Sequence, residues 1–238
     1  MAELAVALDF SSPRKALEIV ESLGEGAKWY KVGLELYARE GPAVVEALRS
    51  RGKEVFLDLK LHDIPNTVAG AVEGARETGA GLLTLHAAGG VAMIRAAREA
   101  AGSDLRLLAV TVLTSLEAEG LGQVWGRPAV RIEEEVLRLA RLAVDGGADG
   151  VVASAREAVA LKADLGRDLF VATPGIRLPG GDAHDQARVT TPAEAVAAGS
   201  DLLVVGRAIT GAREPREALE RIRAHLLEPA GAGGEGER

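Results

Sequence analysis

A chain of 238 residues, 47% hydrophobic but only 3% aromatic, is long enough for one large domain whose core must be filled by Ala, Val and Leu. Its 28 basic against 35 acidic residues give a net charge of -7 with no long basic stripe. That balance disfavours a nucleic-acid or anionic-membrane partner and leaves an anionic small molecule open. Cysteine is absent, so disulfides and thiolate metal sites are excluded and a reducing, cytoplasmic setting is expected.

Met1 leads straight into the apolar run Leu4–Leu8, without the basic-then-apolar pattern of a secretion signal. No apolar run approaches the length of a membrane span. Leu4–Leu8 reads as a strand, followed by a helical pattern over Pro13–Leu23 that Ser12-Pro13 would start. The same alternation then repeats. Strands at Trp29–Gly33, Val55–Lys60 and Leu82–His86 are followed by helices near Pro42–Ser50, Thr67–Thr78 and Val91–Ala101. Strands at Leu107–Leu113 and Gly150–Ala153 precede helices at Ile132–Asp145 and Ala155–Leu165. Leu169–Thr173 and Leu202–Gly206 precede Pro192–Ala198 and Pro215–Leu227. Thr191-Pro192 starts one of these helices, and Gly79, Gly147 and Gly199 close theirs.

Eight strands, each followed by a helix, are the signature of a single-domain (β/α)8 TIM barrel, expected over residues 1–228. The polar, glycine-rich residues 229–238 read as a disordered tail. An open doubly wound sheet would need a G-x-G-x-x-G turn after an early strand, and the first strand instead ends in Leu8-Asp9-Phe10-Ser11-Ser12. One Asn, two Gln, two Met and six Lys against twenty-two Arg suggest a thermophile, a bias that a GC-rich genome also produces. The scarce amides Asn66 and Gln186 are either ordinary caps and loop residues or functional groups.

The run Phe56-Leu-Asp-Leu-Lys-Leu-His-Asp-Ile-Pro-Asn-Thr-Val68 is the most informative in the chain. Residues two apart on a strand share a face, so Asp58 and Lys60 would project together, with Leu57, Leu59 and Leu61 opposite. Charges on one side of an apolar strand cost desolvation energy unless paired or used. A lysine between Asp58 and Asp63 stays protonated and can deliver a proton to a carbanion. In a barrel the active site lies at the carboxyl ends of the strands, where Asp9, Lys31, Asp58, Lys60, Thr114, Arg177 and Arg207 would gather. Each has a bland alternative: Asp9 as a helix cap, Lys31 snorkelling from a strand edge, Arg207 covering the rim.

Gly175, Gly180, Gly181 and Gly206 with Arg177 and Arg207 suit a phosphate. The loop 178–187 reads as a lid that closes on it, with an ordinary surface loop as the alternative. Asp58 and Asp63, with Asp9, could bind Mg²⁺, but Lys60 would compete for the same carboxylates. The four histidines show no metal spacing, so a site without metal or cofactor is expected.

With Leu8-Asp9, Lys31-Val-Gly33, the strand-three string, Val110-Thr-Val-Leu-Thr-Ser115, Thr173-Pro-Gly-Ile-Arg177 and Val205-Gly-Arg-Ala-Ile209, the chain resembles the orotidine 5′-phosphate decarboxylase family in its bacterial form. The resemblance implies a homodimeric, cofactor-free barrel converting orotidine 5′-phosphate to UMP and CO₂, the last step of de novo UMP synthesis. It makes Lys60 the proton donor to C6, sets Asp58 against the substrate carboxylate, and completes the charged network with Lys31 and Asp63. Asp9 and Lys31 would hold ribose hydroxyls, Thr114 the pyrimidine, and Arg177, Gln186, Gly206 and Arg207 the phosphate. Asp63 and Thr67 would reach the site of the other subunit. One departure is Leu178, which separates Arg177 from Pro179 where many relatives continue directly with proline. Two other readings stand beside this one. A metal-dependent 3-keto-gulonate-phosphate decarboxylase shares the Asp-x-Lys-x-x-Asp core, and a non-catalytic phospho-ligand binding protein would keep the arginines without the full charged set.

Overall fold

A computed structural model of the chain describes residues 2–127, 130–178 and 190–226. Eight parallel strands close into one barrel in sequence order, the (β/α)8 architecture expected. They are β1 (Glu3–Ala7), β2 (Trp29–Gly33), β3 (Glu54–Leu61), β4 (Leu82–His86), β5 (Arg106–Val110), β6 (Gly150–Val152), β7 (Phe170–Thr173) and β8 (Leu202–Val205). Closure is made by β1 pairing with both β2 and β8, Ala7 opposite Lys31 and Val6 opposite Val205.

Side-chain alternation along each strand divides the core in two. Ala5, Ala7, Trp29, Phe56, Leu82, Leu108, Ala172, Leu202 and Val204 fill the barrel interior. A larger layer between sheet and helices is built from residues such as Val6, Tyr30, Leu57, Leu83, Val151 and Leu203. The interior shows how a chain poor in aromatics fills a barrel. Trp29 and Phe56 supply bulk on β2 and β3, while Ala5 and Ala7 on the neighbouring β1 and Ala172 on β7 take up little of the interior. Phe56 is 1% exposed, so Phe56→Ala would cost about 3–5 kcal/mol by cavity formation.

The helices are α1 (Pro13–Leu23), α2 (Leu34–Glu40), α3 (Pro42–Arg49), α4 (Pro65–Glu77), α5 (Gly90–Ala101), α6 (Ala118–Trp125), α7 (Ile132–Asp145), α8 (Ala155–Leu165), α9 (Pro192–Ala197), α10 (Arg207–Thr210) and α11 (Pro215–Leu226). The expected caps form. Ser12 accepts from the Lys15 amide, and Thr191 and Glu194 make a reciprocal capping box. Gly79, Gly147 and Gly199 follow α4, α7 and α9 with φ of 78°, 87° and 94°.

Three helices were not read from the sequence. α2 starts where β2 ends and stops at Gly41, too short for its period to show. α6 contains Gly120 and Gly122, which weaken a helical pattern. α10 is a single turn after Gly206. The fifth strand also ends at Val110 instead of Leu113, which frees residues 111–117 to turn over the barrel mouth. Among the described residues no helix is long and apolar enough to cross a membrane. The tail expected from residue 229 lies outside the described residues.

Candidate active site

The carboxyl ends of the strands surround a cavity of ≈ 520 Å³, a size suited to a small-molecule ligand. Asp9, Lys31, Asp58 and Lys60 make one wall. Lys31 stands on β2 with its ammonium 2.7 Å from Asp9 Oδ1 and 3.6 Å from Asp58 Oδ2. Asp58, opposite Gly33 in the β2–β3 ladder, takes Lys60 Nζ on its other oxygen at 2.7 Å. The result is a row of alternating sign: Asp9, Lys31, Asp58, Lys60. Gly33 makes room for it, since a Cβ there would sit 3.0 Å from Asp9 Oδ1 and 3.2 Å from Lys31 Nζ.

Burial and pairing compete within this row. The side chains of Lys31 and Asp58 are only 10% and 14% exposed. Burial alone would lower the Lys31 pKa, but Asp58 and Asp9 outweigh it and the ammonium is held above its ordinary range. Burial would raise Asp58, but Lys31 and Lys60, with hydrogen bonds from Lys60 and Thr84, hold it below the usual carboxylate range. Both groups therefore carry their charges through the neutral range, in a wall where water screens weakly.

The geometry corrects two sequence expectations. The lysine flanked by two carboxylates within one chain is Lys31, whereas the strand-three spacing pointed to Lys60. Asp63 lies past the strand end, exposed, where its carboxylate accepts the Ile64 amide at 2.6 Å. Asp58 and Lys60 do meet, but not by simple strand alternation. The β3–β4 register shifts between Leu57 and Leu61, and Lys60 has φ of 50°, the one positive value among described non-glycine residues. Left-handed backbone costs an L-residue about 1–2 kcal/mol, so the surroundings must hold it there.

The other walls follow from the remaining strand ends. Phe56, Val110, Val112, Val152 and Val204 present an apolar surface. The loop after β5 brings Leu113 and Thr114 to the cavity. It runs on through α6 to an anchor where Arg127 and Arg138 both pair with the buried Glu135. Their guanidinium groups lie over Trp125 at 5.3 and 5.4 Å. Pro174, Gly175, Arg177, Gly206 and Arg207 line the cavity from β7 and β8, and the β8 end adjoins the charged row, since a Cβ on Gly206 would sit 3.8 Å from Asp9 Oδ2. Gly175 adopts φ of 79°, a turn that a side chain would strain. Arg177 is 8% exposed and donates to the Ile176 carbonyl at 2.8 Å, while Arg207 is exposed.

Asp9, Lys31, Asp58, Lys60, Thr114, Arg177, Gly206 and Arg207 thus share one cavity. Asp63 and Thr67 do not line it and are exposed at the start of α4. Gln186, with Gly180, Gly181 and the lid expected over 178–187 from residue 179 onward, lies outside the described residues. Missed by the sequence reading is Thr84, a buried hydroxyl on β4 that accepts the Lys60 amide and donates to Asp58. Its sequence sign was weak, one polar residue among Leu82, Leu83 and Leu85 and of a type common in strands. His62 and His86 face one another at 5.5 Å. Burial, then His62 and Lys60, lower the His86 pKa against an opposing pull from Asp58. Among the described residues no three His, Cys, Asp or Glu side chains gather as metal ligands would.

A closed parallel barrel whose mouth carries a buried carboxylate–ammonium row and, adjoining it, an arginine–glycine cradle defines a (β/α)8-barrel enzyme. Within that class, the Orotidine 5′-phosphate decarboxylase / HUMPS family model matches residues 2–222, and the chain belongs to this family. The chain is 50% identical to an orotidine 5′-phosphate decarboxylase of Anaeromyxobacter sp. (strain K) over 225 residues, covering 94% of this chain and 97% of the relative. It is 51% identical to that of Chromobacterium violaceum over 222 residues, covering 92% and 89%. The crystal structure of orotidine 5′-phosphate decarboxylase from Lactobacillus acidophilus superposes with a TM-score of 0.84 at 36% identity, covering 96% of this chain and all of that one.

Proposed function

We propose that this chain decarboxylates orotidine 5′-phosphate to UMP and CO₂ without metal or organic cofactor. The observation that carries this is the Lys31–Asp58–Lys60 row beside an apolar pocket wall, with Asp58 held ionised and an ammonium 2.7 Å away. In the reaction the C6–carboxylate bond breaks and its electron pair remains on C6. Lys60 gives that carbon a proton as CO₂ leaves, then recovers one from solvent. General acid catalysis of this kind contributes typically ~10²–10⁴-fold. Asp58 faces the departing carboxylate, and its repulsion is relieved on the way to the transition state, where differential binding raises the rate.

Asp9 and Lys31 take the ribose hydroxyls and Thr114 the pyrimidine. Arg177, Gly206 and Arg207, with Gln186, take the phosphate, whose binding energy is used at the distant ring. The active form is a homodimer in which Asp63 and Thr67 complete the partner's site. Their exposure outside their own cavity, with Ile64 67% exposed between them, supports this sharing. A cytoplasmic, heat-adapted enzyme of pyrimidine biosynthesis fits the absence of cysteine and the scarcity of amides.

Incubation with orotidine 5′-phosphate, followed by quantitation of both products, tests the assignment. UMP and CO₂ should appear one to one, while orotidine lacking its phosphate turns over poorly. Intact substrate after prolonged incubation would refute it.

A further inference from the structure

The left-handed turn at Lys60 removes the residue from the regular β3–β4 ladder, and the register shift between Leu57 and Leu61 marks the break. A buried amide that loses its ladder partner is costly unless another acceptor replaces it. Thr84 Oγ1 is that acceptor, 2.9 Å from the Lys60 nitrogen. The same hydroxyl donates to Asp58 Oδ1 at 3.0 Å, and Asp58 Oδ1 is the oxygen that takes Lys60 Nζ at 2.7 Å. A hydroxyl has one proton to give and lone pairs to accept with, so both bonds coexist. They close a ring from the Lys60 amide through Thr84 and Asp58 to the Lys60 ammonium. Thr84 itself is wholly buried.

We propose that Thr84 is a positioning residue for the charged row: its hydroxyl fixes the backbone of Lys60 and the orientation of Asp58 together, aiming ammonium and carboxylate into the cavity. The catalytic consequence rests on the decarboxylase reading. The clamp itself rests only on the hydrogen bonds.

Threonine and valine have nearly the same shape, so Thr84→Val removes the hydroxyl with little change of volume, and Thr84→Ser keeps the hydroxyl. Two readouts separate the clamp from the reaction. The first is kcat and KM with orotidine 5′-phosphate. Thr84→Val should lose about 10–100-fold in kcat, the scale set by one unsatisfied buried hydrogen bond. Its KM should stay within about threefold, and Thr84→Ser should recover most of the loss. The second readout is hydrogen exchange of the Lys60 amide in ¹⁵N-lysine protein, where six lysines give six backbone signals. That amide should be protected in the parent and in Thr84→Ser, and exchange at least about tenfold faster in Thr84→Val.

Parental kcat in Thr84→Val, or a serine variant as impaired as the valine one, would overturn the positioning role. An unprotected Lys60 amide in the parent would overturn the clamp, even if Thr84→Val failed to fold. A parent inactive on the substrate would defeat the decarboxylase reading, while amide exchange would still decide the clamp.

Discussion

Replacing Lys60 separately by alanine and by glycine distinguishes its chemistry from its backbone. Both variants lose the ammonium 2.7 Å from Asp58, and with it the proposed proton source. kcat should fall at least ~10²–10⁴-fold in each, the usual worth of a general acid. Asp58 keeps Lys31 at 3.6 Å and Thr84 at 3.0 Å, so it is not stranded and the fold should survive. Stability should then divide the pair. Alanine inherits the φ of 50° and with it a left-handed cost of about 1–2 kcal/mol. Glycine escapes that cost but gives back about 0.4–1 kcal/mol through its looser unfolded chain. The net is roughly 0.5–1 kcal/mol in favour of glycine, or about 1–4 °C in Tm for a domain of this size. Calorimetry on both variants, beside steady-state kinetics, reads the two effects. Near-parental kcat in either would refute the proton-donor role. A glycine variant less stable than the alanine one would refute the backbone argument.

Three further outcomes follow from the same geometry. Asp58 is held below its ordinary range, so its contribution to stability is present above the unfolded carboxylate pKa of ~4 and lost as pH falls through the lower folded value. Lys31→Met removes one of the two ammoniums responsible, so acid unfolding followed by circular dichroism should begin at higher pH in the variant; an unchanged acid midpoint contradicts the coupling. Arg207→Ala should lower kcat/KM for orotidine 5′-phosphate about 10–100-fold, the worth of a charge-assisted hydrogen bond, and leave turnover of the dephosphorylated nucleoside nearly unchanged. Inactive Asp63→Ala and Lys60→Ala proteins, mixed and allowed to exchange subunits, should regain part of the parental activity because one hybrid site is intact. No recovery, with exchange confirmed by mass, would count against a shared site.

What the sequence made legible was whatever depends on local period and on residue chemistry. The eight strands show as apolar runs because both faces of a parallel barrel are buried, and Asp58 and Lys60 stand out because charge interrupts one of them. Lys31 could be placed at the mouth, but not between Asp9 and Asp58, since that contact depends on barrel curvature bringing β1, β2 and β3 around one point. The left-handed Lys60 had no sequence sign, because glycine or asparagine usually marks such a position. Thr84 was hidden for a related reason. Threonine is an ordinary strand former, and its meaning arises only from a break in the neighbouring strand. The short α2 and the glycine-bearing α6 fell below what periodicity can detect.

The most direct test of the central claim is the absorbance of orotidine 5′-phosphate after mixing with protein stripped of metal by EDTA. A cofactor-free decarboxylase should consume the substrate at the untreated rate and stoichiometrically, with UMP as product. Activity that disappears on stripping and returns with Mg²⁺ would contradict the account and point to the metal-dependent sugar-phosphate chemistry of the same barrel.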